Sequence, residues 1–487
     1  MKHLGASMGA ALLVAALAAQ PAANTLEGFW TATIEHAGEQ TRVVMHIEQV
    51  GGALQVRWST PILDLWEAPV GTAKVDGDSV RIGPFALAWD NAAGTLSGTL
   101  PAALVPVHSI PAVFHRTDSP GRQPRRPLDA PQSSPVWTFD AGAPVWADAA
   151  YCAGAVLVGD DGGRLHAIDG TTGKERWTLS TGRPIRARAI CDGGDAFVQS
   201  DDGNLFRVEL KSGAERWHVP VAAPFKRLPL FDPKSRYQFR ASAVVVDGSR
   251  LYLGTADGKL LALDAASGRT LWKFAAADAI TASPALSNGR VFFGSFDGYL
   301  YAVDARGGTL VWKRDMGAPV TSTPAAAGGN IVAGSRSYDL TAFRASDGAT
   351  AWNQYYWFSW VESSPTPFER FVYVGSSDAA RAYAFDAATG RREWSTDVGG
   401  DAWGQPVVTA DRVVVSVAGG VNYPMPHRGG VVALDRRTGR PLWQFSVDRP
   451  HVSGSEYVPY GFAGSPASGG GLVYAGALDG RVYAFRP

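Results

Sequence analysis

A segment of eleven residues that recurs seven times constrains the fold of this 487-residue chain more than any other feature. Its first copy, AIDGTTGKERW, has an aspartate near the start, a glycine at the seventh position and a terminal tryptophan. The aspartate carboxylate can accept backbone N–H groups of the following turn, and the glycine adopts a positive φ at little cost. Each copy therefore predicts a strand end, a tight turn and the start of the next strand. The copies span residues 167–177, 207–217, 262–272, 302–312, 342–352, 384–394 and 433–443.

Further apolar strands between the copies set the size of the repeating unit. A strand that ends near Gly-Ser-x-Asp-Gly precedes most copies, as in RVFFGSFDGYLYAVDA, and this gives four short strands per unit. The first two repeat tryptophans are 40 residues apart, and four strands at such a period are typical of β-propeller blades. Each ring can be buried against the neighbouring sheet. The predicted structural tryptophans are Trp137, Trp177, Trp217, Trp272, Trp312, Trp352, Trp394 and Trp443.

The two ends of the repeat region determine the number of blades. The last unit, GLVYAGALDGRVYAFRP, stops at Pro487 after its third strand, without a turn and tryptophan. The segment SSPVWTFDAG carries Trp137 but has no turn before it. The two fragments complete each other, so we expect the first strand to pair with the last blade. Seven whole units and one split unit predict an eight-bladed propeller over residues 136–487.

The pattern Ala-x-Asp-x-x-Thr-Gly-x-x-x-Trp resembles the tryptophan-docking repeat of the pyrroloquinoline quinone (PQQ) propeller family. The resemblance implies either of two roles. The family contains quinoprotein alcohol dehydrogenases, and also non-catalytic relatives such as the lipoprotein subunit of the outer-membrane β-barrel assembly machine. Glu209 and Arg344 replace the turn aspartate in two copies, and Ser416 replaces a strand-end glycine. These departures leave the fold expectation intact, but the cofactor does not follow from the repeat.

The first residues indicate export from the cytoplasm. Lys2 precedes an apolar run that ends in Ala16-Leu17-Ala18, so residues 1–23 are typical of a secretory signal peptide. A membrane anchor is the alternative, but the run is short and is interrupted by glycine and serine. No cysteine lies near the cleavage position, which argues against lipid attachment. We expect a soluble periplasmic or secreted protein, monomeric and without a transmembrane segment in its mature form.

Residues 24–116 predict a small antiparallel β domain of about eight strands, because alternating and apolar runs are divided by short turns. A barrel and a sandwich are both compatible with this pattern. Gly28-Phe29-Trp30 and IPAVFHR resemble the small β-barrel module that precedes some secreted α/β hydrolases, which implies a docking or spacer role without catalytic residues. Residues 117–135 are rich in proline and arginine and predict a stiff, exposed linker.

Candidate ligand-binding residues follow from where the repeat is interrupted. The long insertions fall in the D–A and B–C connections, which emerge on one face of a propeller, where such folds usually carry function. Two arginines opposite a carboxylate at the funnel mouth predict an anionic or sugar-like ligand. The alternative is a solvated channel whose arginines offset nearby acids. The candidates are Trp146, Arg186, Arg240, Glu362 and Trp403 around the mouth, and Tyr356, Trp357, Tyr423, His427 and Tyr457 on the inserted loops.

Signatures of catalysis are sparse. The adjacent cysteines and the calcium-binding set of quinoprotein dehydrogenases cannot be placed, and zinc spacings are absent, so no cofactor or metal is expected. Cys152 and Cys191 hold nearly equivalent places in adjacent repeats, which allows either a disulfide or two buried thiols. Balanced charge, with 45 basic and 45 acidic residues, argues against a nucleic-acid partner.

Two functional hypotheses follow. The first is an exported, non-catalytic binding or scaffold protein that holds an envelope protein, peptide or glycan on its loop-bearing face. The second is a periplasmic oxidoreductase that uses PQQ with calcium in the propeller funnel.

Overall fold

The computed structural model describes residues 26–36, 39–83, 85–100, 110–119, 121, 128–228 and 238–487. Within these ranges the chain is all-β apart from one short 3-10 turn, which confirms the predicted fold class. The described residues include no helix that is long and apolar enough to cross a membrane. The predicted signal peptide, residues 1–23, lies outside the described residues.

The first eight strands form a closed antiparallel barrel, the first of the two arrangements that the sequence allows. Strand β1 pairs with both β2 and β8, so Phe29 lies opposite Thr117 and the sheet closes. Trp30, Met45 and Phe114 are fully buried in its interior. The strands are β1 (Gly28–His36), β2 (Glu39–Val50), β3 (Ala53–Thr60), β4 (Leu65–Asp76), β5 (Ser79–Ile82), β6 (Phe85–Asp90), β7 (Thr95–Leu100) and β8 (Ile110–Thr117), with the 3-10 turn Pro61–Leu63 before β4.

Eight antiparallel sheets arranged as blades follow the barrel. Blade 1 contains β10 (Ala150–Cys152), β11 (Ala155–Gly159), β12 (Arg164–Asp169) and β13 (Glu175–Ser180). Blade 2 contains β14 (Ile190–Asp192), β15 (Asp195–Gln199), β16 (Asn204–Glu209) and β17 (Glu215–Pro220). Blade 3 contains β18 (Val245–Asp247), β19 (Arg250–Gly254), β20 (Lys259–Asp264) and β21 (Thr270–Ala275). Blade 4 contains β22 (Ala285–Ser287), β23 (Arg290–Gly294), β24 (Tyr299–Asp304) and β25 (Leu310–Asp315).

The remaining blades repeat this order and complete the ring. Blade 5 contains β26 (Ala325–Ala327), β27 (Asn330–Gly334), β28 (Asp339–Arg344) and β29 (Thr350–Tyr355). Blade 6 contains β30 (Thr366–Phe368), β31 (Phe371–Gly375), β32 (Arg381–Asp386) and β33 (Arg392–Asp397). Blade 7 contains β34 (Val407–Val408), β35 (Arg412–Val421), β36 (Gly430–Asp435) and β37 (Pro441–Ser446), with β38 (Val458–Gly461) paired to the end of β35. Blade 8 contains β39 (Ala467–Gly469), β40 (Leu472–Gly476), β41 (Arg481–Phe485) and β9 (Trp137–Asp140).

The split blade closes the ring as the sequence predicts. Strand β9, from the start of the repeat region, pairs antiparallel with β41 from its end, with Trp137 opposite Ala484. The two ends of the repeat region are therefore hydrogen-bonded within one sheet, and blade 8 joins blade 1 to blade 7.

Indole rings join neighbouring blades. Six of the eight repeat tryptophans donate their indole N–H to a backbone carbonyl in the C–D turn of the next blade, at 2.9–3.2 Å. The ring also lies against the glycine of that turn, which has a positive φ. A Cβ added at Gly308 would lie 2.5 Å from the ring of Trp272, so both the backbone conformation and the close contact require glycine there.

Trp217 and Trp443 depart from this pattern, and their indole N–H groups have no partner among the described residues. In the next blade, the carbonyl oxygen of Ala265 is equivalent to the indole acceptors of the other blades. Beside Trp217, this oxygen instead accepts a hydrogen bond of 2.8 Å from Arg207. Trp443 faces blade 8, which has no C–D turn because its outer strand is β9. The missing bond at Trp443 is thus a consequence of how the ring closes.

The barrel packs directly on the propeller. Tyr355 at the end of β29 and Trp357 just after blade 5 belong to the same buried cluster as the barrel interior. Leu63 of the 3-10 turn packs in a second cluster with Ala379 of blade 6 and Met425 of blade 7. The face that the sequence identifies as loop-bearing is therefore the face on which the barrel sits.

Two local features attach the start of the propeller to neighbouring blades. Cys152 in blade 1 and Cys191 in blade 2 form a disulfide that joins the inner strands of adjacent blades. In the predicted linker, the backbone N–H of Ser133 donates to the carbonyl of Gln444 at 2.7 Å. Gln444 also donates through Nε2 to the carbonyl oxygens of Leu128 and Ala130, each at 3.0 Å. The described end of the linker is thus held along the outer strand of blade 7.

The difference between tryptophans with and without an indole hydrogen bond can be tested by substitution. Trp394→Phe removes a hydrogen bond of 3.0 Å to the carbonyl of Arg436, whereas Trp443→Phe removes none. We expect Trp394→Phe to lower the free energy of unfolding by about 1–2 kcal/mol more than Trp443→Phe, because a buried carbonyl loses its donor. Urea unfolding of both variants measures the difference, and equal losses would show that the indole bond contributes nothing.

Candidate functional site

A cavity of about 350 Å³ lies where the barrel meets the propeller. The barrel contributes the segment around its 3-10 turn, and the propeller contributes blades 5 to 7 and the connection between blades 2 and 3. Aromatic residues are the largest group in the wall, carboxylates are the charged groups, and no described lining residue is lysine or arginine. The lining residues are Thr60, Leu63, Leu65, Phe239, Tyr338, Phe358, Trp360, Glu362, Ser377, Asp378, Asp401, Trp403, Tyr423, Met425 and Tyr457.

Two insertions of blade 7 build one wall of the cavity. The B–C connection after β35 carries Tyr423 and Met425, and the connection from blade 7 to blade 8 carries Tyr457. Strand β38 in the second insertion pairs with the extended end of β35, with Val421 opposite Val458. This pairing fixes the two tyrosine rings in an edge-to-face arrangement with centroids 5.2 Å apart.

Asp378 brings a carboxylate to the cavity, and no ion pair joins it to a described side chain. The hydroxyl of Tyr423 donates to its Oδ1. Burial raises the pKa of Asp378 to about 6, and the charge of nearby Asp401 acts in the same direction. The hydrogen bond from Tyr423 and the charge of His427 oppose this rise in pKa. The site thus holds a carboxylate in surroundings that disfavour its charge.

Asp401 is buried at the back of the cavity and is held by several contacts. Its backbone exchanges two hydrogen bonds of 2.8 Å with Ala418. Nδ1 of His427, whose side chain is fully buried, lies 3.2 Å from Asp401 Oδ2. The hydroxyl of Ser377 donates to Oδ1 at 3.4 Å, and the indole of Trp403 donates to Ser377 at 3.0 Å. A connected polar network therefore fixes this carboxylate, while Asp378 depends on Tyr423.

The propeller axis next to the cavity is filled by side chains. The ring of Phe239 lies between those of Trp146 and Trp403, with centroid distances of 5.8 and 5.2 Å. Arg240 donates to the backbone carbonyls of Trp403 and, at 3.3 Å, of Glu362. The segment between blades 2 and 3 therefore reaches across the axis and is bound to the opposite blades.

The other charged groups around the mouth are paired within the protein. Arg186 donates to both carboxylate oxygens of Asp161, at 2.8 and 2.7 Å. Glu362 and Arg336, both buried, form an ion pair of 2.6 Å, and the guanidinium of Arg336 lies 4.7 Å from the ring centroid of Trp360. These arginines compensate acids of the protein itself, as in the alternative prediction, but side chains rather than a solvated channel occupy the axis beside them.

The structure brings some of the predicted candidates together and separates others. His427 lies behind Asp401, and Trp146, Arg186 and Arg240 surround Phe239 at the axis. The two loop aromatics after blade 5 pack elsewhere: one ring lies 4.5 Å from Tyr383 inside the propeller, and the other joins the barrel core. These two are Tyr356 and Trp357, whereas the candidates that line the cavity are Glu362, Trp403, Tyr423 and Tyr457.

Sequence reasoning missed Asp378, Trp360 and the contribution of the barrel. Asp378 lies in GSSDAAR, which has the appearance of the Gly-Ser-x-Asp-Gly turns of other blades. One signal distinguishes it: Gly375 and Ala384 are nine residues apart, whereas the equivalent spacing in most blades is eight. No pattern in the sequence places the 3-10 turn of the barrel over blade 6, because that contact depends on how two domains pack.

The fold and site define an eight-bladed propeller whose loop-bearing face carries a small barrel, with an acid-lined cavity at the junction of the two domains. The chain belongs to the PQQ-repeat family described as outer membrane protein assembly factor BamB, whose model matches residues 126–236, 207–305 and 296–487. No curated protein matches the chain.

Solved structures share the propeller fold. BamB from Moraxella catarrhalis is 21% identical, with a TM-score of 0.54 over 73% of this chain and 97% of that one. The computationally designed Ika8 protein is 16% identical, with a TM-score of 0.57 over 74% and 98%. Quinohemoprotein alcohol dehydrogenase ADHIIG from Pseudomonas putida HK5 is 13% identical, with a TM-score of 0.54 over 73% and 76%. At these identities the similarity establishes the fold alone.

The charges of the cavity do not fit pyrroloquinoline quinone. The quinone carries several carboxylates and needs cationic groups, but Asp378, Asp401 and Glu362 line this cavity and the neighbouring Arg336 is already paired. Within the described parts of the chain, no three His, Cys, Asp or Glu side chains are grouped so that they could hold a metal ion. The described lining of the cavity therefore offers the quinone carboxylates no cationic side chain that is not already paired within the protein.

Asp378 generates a prediction about stability and pH. An aspartate ionises near pH 3.9 in an unfolded chain, but Asp378 ionises at about 6 in the folded protein. The folded state therefore loses stability as pH rises from about 4 to 6, and the full cost remains above pH 6. We expect Asp378→Asn to raise the free energy of unfolding by about 1–3 kcal/mol at pH 8 and by little at pH 4.

A matched control is Asp386→Asn in the C–D turn of the same blade. Hydrogen bonds from the Thr389 backbone and side chain lower the pKa of Asp386, so the same substitution should destabilise the protein at pH 8. Thermal melting at the two pH values measures both effects. A lower melting temperature for Asp378→Asn at pH 8 would contradict the conclusion that the charge of Asp378 destabilises the folded protein.

Proposed function

We propose that the protein is an exported, non-catalytic binding protein of the cell envelope. It seats a short part of an envelope partner, a peptide or the end of a glycan, in the cavity between barrel and propeller. The observation that carries the proposal is the cavity itself, which is closed by two domains and walled by aromatic rings. Pockets with apolar walls and a few placed polar groups are typical of ligand sites.

The family supports a binding role for this propeller. Its model is described as outer membrane protein assembly factor BamB, and the match extends over the whole propeller. The polar network around Asp401 is held by backbone pairs and buried side chains, which suits a rigid recognition site. Export to the periplasm is part of the same proposal and is supported by the signal-like start of the chain.

The alternative function is a PQQ-dependent or related periplasmic oxidoreductase. Structural similarity to a quinohemoprotein alcohol dehydrogenase supports this candidate at the level of the fold alone. The acidic lining of the cavity favours the binding protein. Added PQQ and calcium separate the two, because saturable thermal stabilisation together with dye-linked alcohol oxidation would support the oxidoreductase and overturn our proposal.

Filling the cavity tests where the ligand is seated. Leu65→Trp adds a large ring at the cavity wall, whereas Leu310→Trp adds the same ring on the outer strand of blade 4, where the leucine is 49% exposed. We expect calorimetry with short peptides and chito-oligosaccharides to find a ligand class whose affinity falls at least tenfold in Leu65→Trp and is unchanged in Leu310→Trp.

Two results would contradict the proposal. Affinity that survives Leu65→Trp would place the ligand outside the cavity, provided that thermal melting shows a folded variant. Chromatography of the probe after incubation detects chemical change, and turnover of the probe would contradict a non-catalytic role.

A further inference from the structure

The protein contains its own example of how this region accommodates a buried cation. The guanidinium of Arg336 is paired with Glu362 at 2.6 Å and lies over the ring of Trp360, with 4.7 Å between the guanidinium carbon and the ring centroid. Glu362 and Trp360 both line the cavity. A carboxylate and an aromatic face therefore hold a basic side chain at the edge of the cavity. This side chain, Arg336, is only 8% exposed.

The cavity repeats this combination without a basic side chain of its own among the described residues. Asp378 and Asp401 supply carboxylates, and Tyr423, Tyr457 and Trp403 supply rings. Asp378 has no ion-pair partner among the described side chains, and the charge of Asp401 opposes its ionisation. Asp378 is half-buried, in surroundings that disfavour its charge, and a cation entering the cavity would offset that cost.

The remaining lining favours an aliphatic stem over a sugar ring. Leu63, Leu65 and Met425 contribute apolar surface, and no asparagine, glutamine, lysine or arginine is present among the described lining residues. The carboxylates and hydroxyl groups of the lining could also hydrogen-bond a sugar, but a sugar is neutral and would leave the carboxylate charges without compensation. The methylene chain of lysine or arginine needs no hydrogen-bonding partner and packs well against apolar and aromatic walls.

We propose that the cavity binds the side chain of a lysine or arginine presented by a peptide, with its cationic group at Asp378 and Asp401 and its stem between the aromatic rings. This inference rests on the proposed function and assigns the chemical class of the ligand. Asp378 is the residue that determines specificity for the cation, and Asp401 with its fixed contacts to Ser377 and His427 is the second carboxylate of the site.

The experiment uses the full-length chain and end-blocked Ala-Lys-Ala and Ala-Arg-Ala peptides. Ala-(acetyl-Lys)-Ala and Ala-norleucine-Ala are the neutral controls. Calorimetry at pH 7.5 should show at least about tenfold tighter binding of one or both cationic peptides than of the neutral ones. The comparison of lysine with arginine shows which of the two cations the site prefers.

Variants link that preference to Asp378. Asp378→Asn should reduce affinity for the cationic peptide at least about tenfold and remove its advantage over acetyl-lysine. Asp386→Asn, in an outer turn of the same blade, should leave both affinities unchanged. Because a cation favours the ionised carboxylate, affinity in the unsubstituted protein should fall as pH is lowered through about 6, and in Asp378→Asn it should not. Asp401, His427, Glu362 and Arg336 also face this region and remain the same in both proteins.

Three outcomes would overturn the inference. These are equal binding of the lysine and acetyl-lysine peptides, unchanged affinity in a folded Asp378→Asn variant, and tighter binding of chito-oligosaccharides than of either cationic peptide. In the last case Leu65→Trp would still abolish binding, so the proposed function would stand and only the ligand class would be wrong. If Leu65→Trp leaves the binding of every probe unchanged, the cavity is not the binding site and the proposed function is rejected as well.

Discussion

The contact between an indole ring and the turn of the next blade is the interaction on which the rest of the structure depends. Each ring removes a large apolar area from water, a contribution of about 4–6 kcal/mol as an upper bound. Six of the rings also satisfy a backbone carbonyl of the neighbouring blade. The glycine beneath the ring is required both by its positive φ and by the contact distance. These contacts lie at the C–D turns, away from the long insertions of the loop-bearing face.

Because the indole contacts lie away from the loop-bearing face, that face is free to carry the barrel and the insertions that form the cavity. Trp357 joins the barrel core, and Leu63 of the barrel packs against Met425 of blade 7. The two domains thus bury a face that would otherwise expose aromatic side chains to solvent. Phe239 and Arg240 occupy the axis, so the space available to a ligand lies off the axis, between barrel and blades 5 to 7.

The repeat made the propeller predictable, including the pairing of β9 with β41, because turns and tryptophans recur at fixed spacing. It also predicted the loop-bearing face, and from it Glu362, Trp403, Tyr423 and Tyr457, which line the cavity. Asp378 was not predicted because a turn aspartate is ordinary in this repeat. The only signal that distinguishes it is one extra residue between the strand-end glycine and the alanine of the repeat. The pairing of Arg186 with Asp161 depends on the contact between two blades. Sequence spacing gives the position of each charge along the chain, but not the partner that neutralises it.

The central structural proposal is that a basic side chain enters the space between barrel and propeller and meets Asp378 there. A crystal structure of the protein with bound Ala-Lys-Ala peptide tests this claim most directly. We expect the lysine Nζ within about 3 Å of a carboxylate oxygen of Asp378, with the 3-10 turn Pro61–Leu63 beside the stem. Peptide bound on another face of the propeller, or a barrel positioned away from blades 6 and 7, would contradict it.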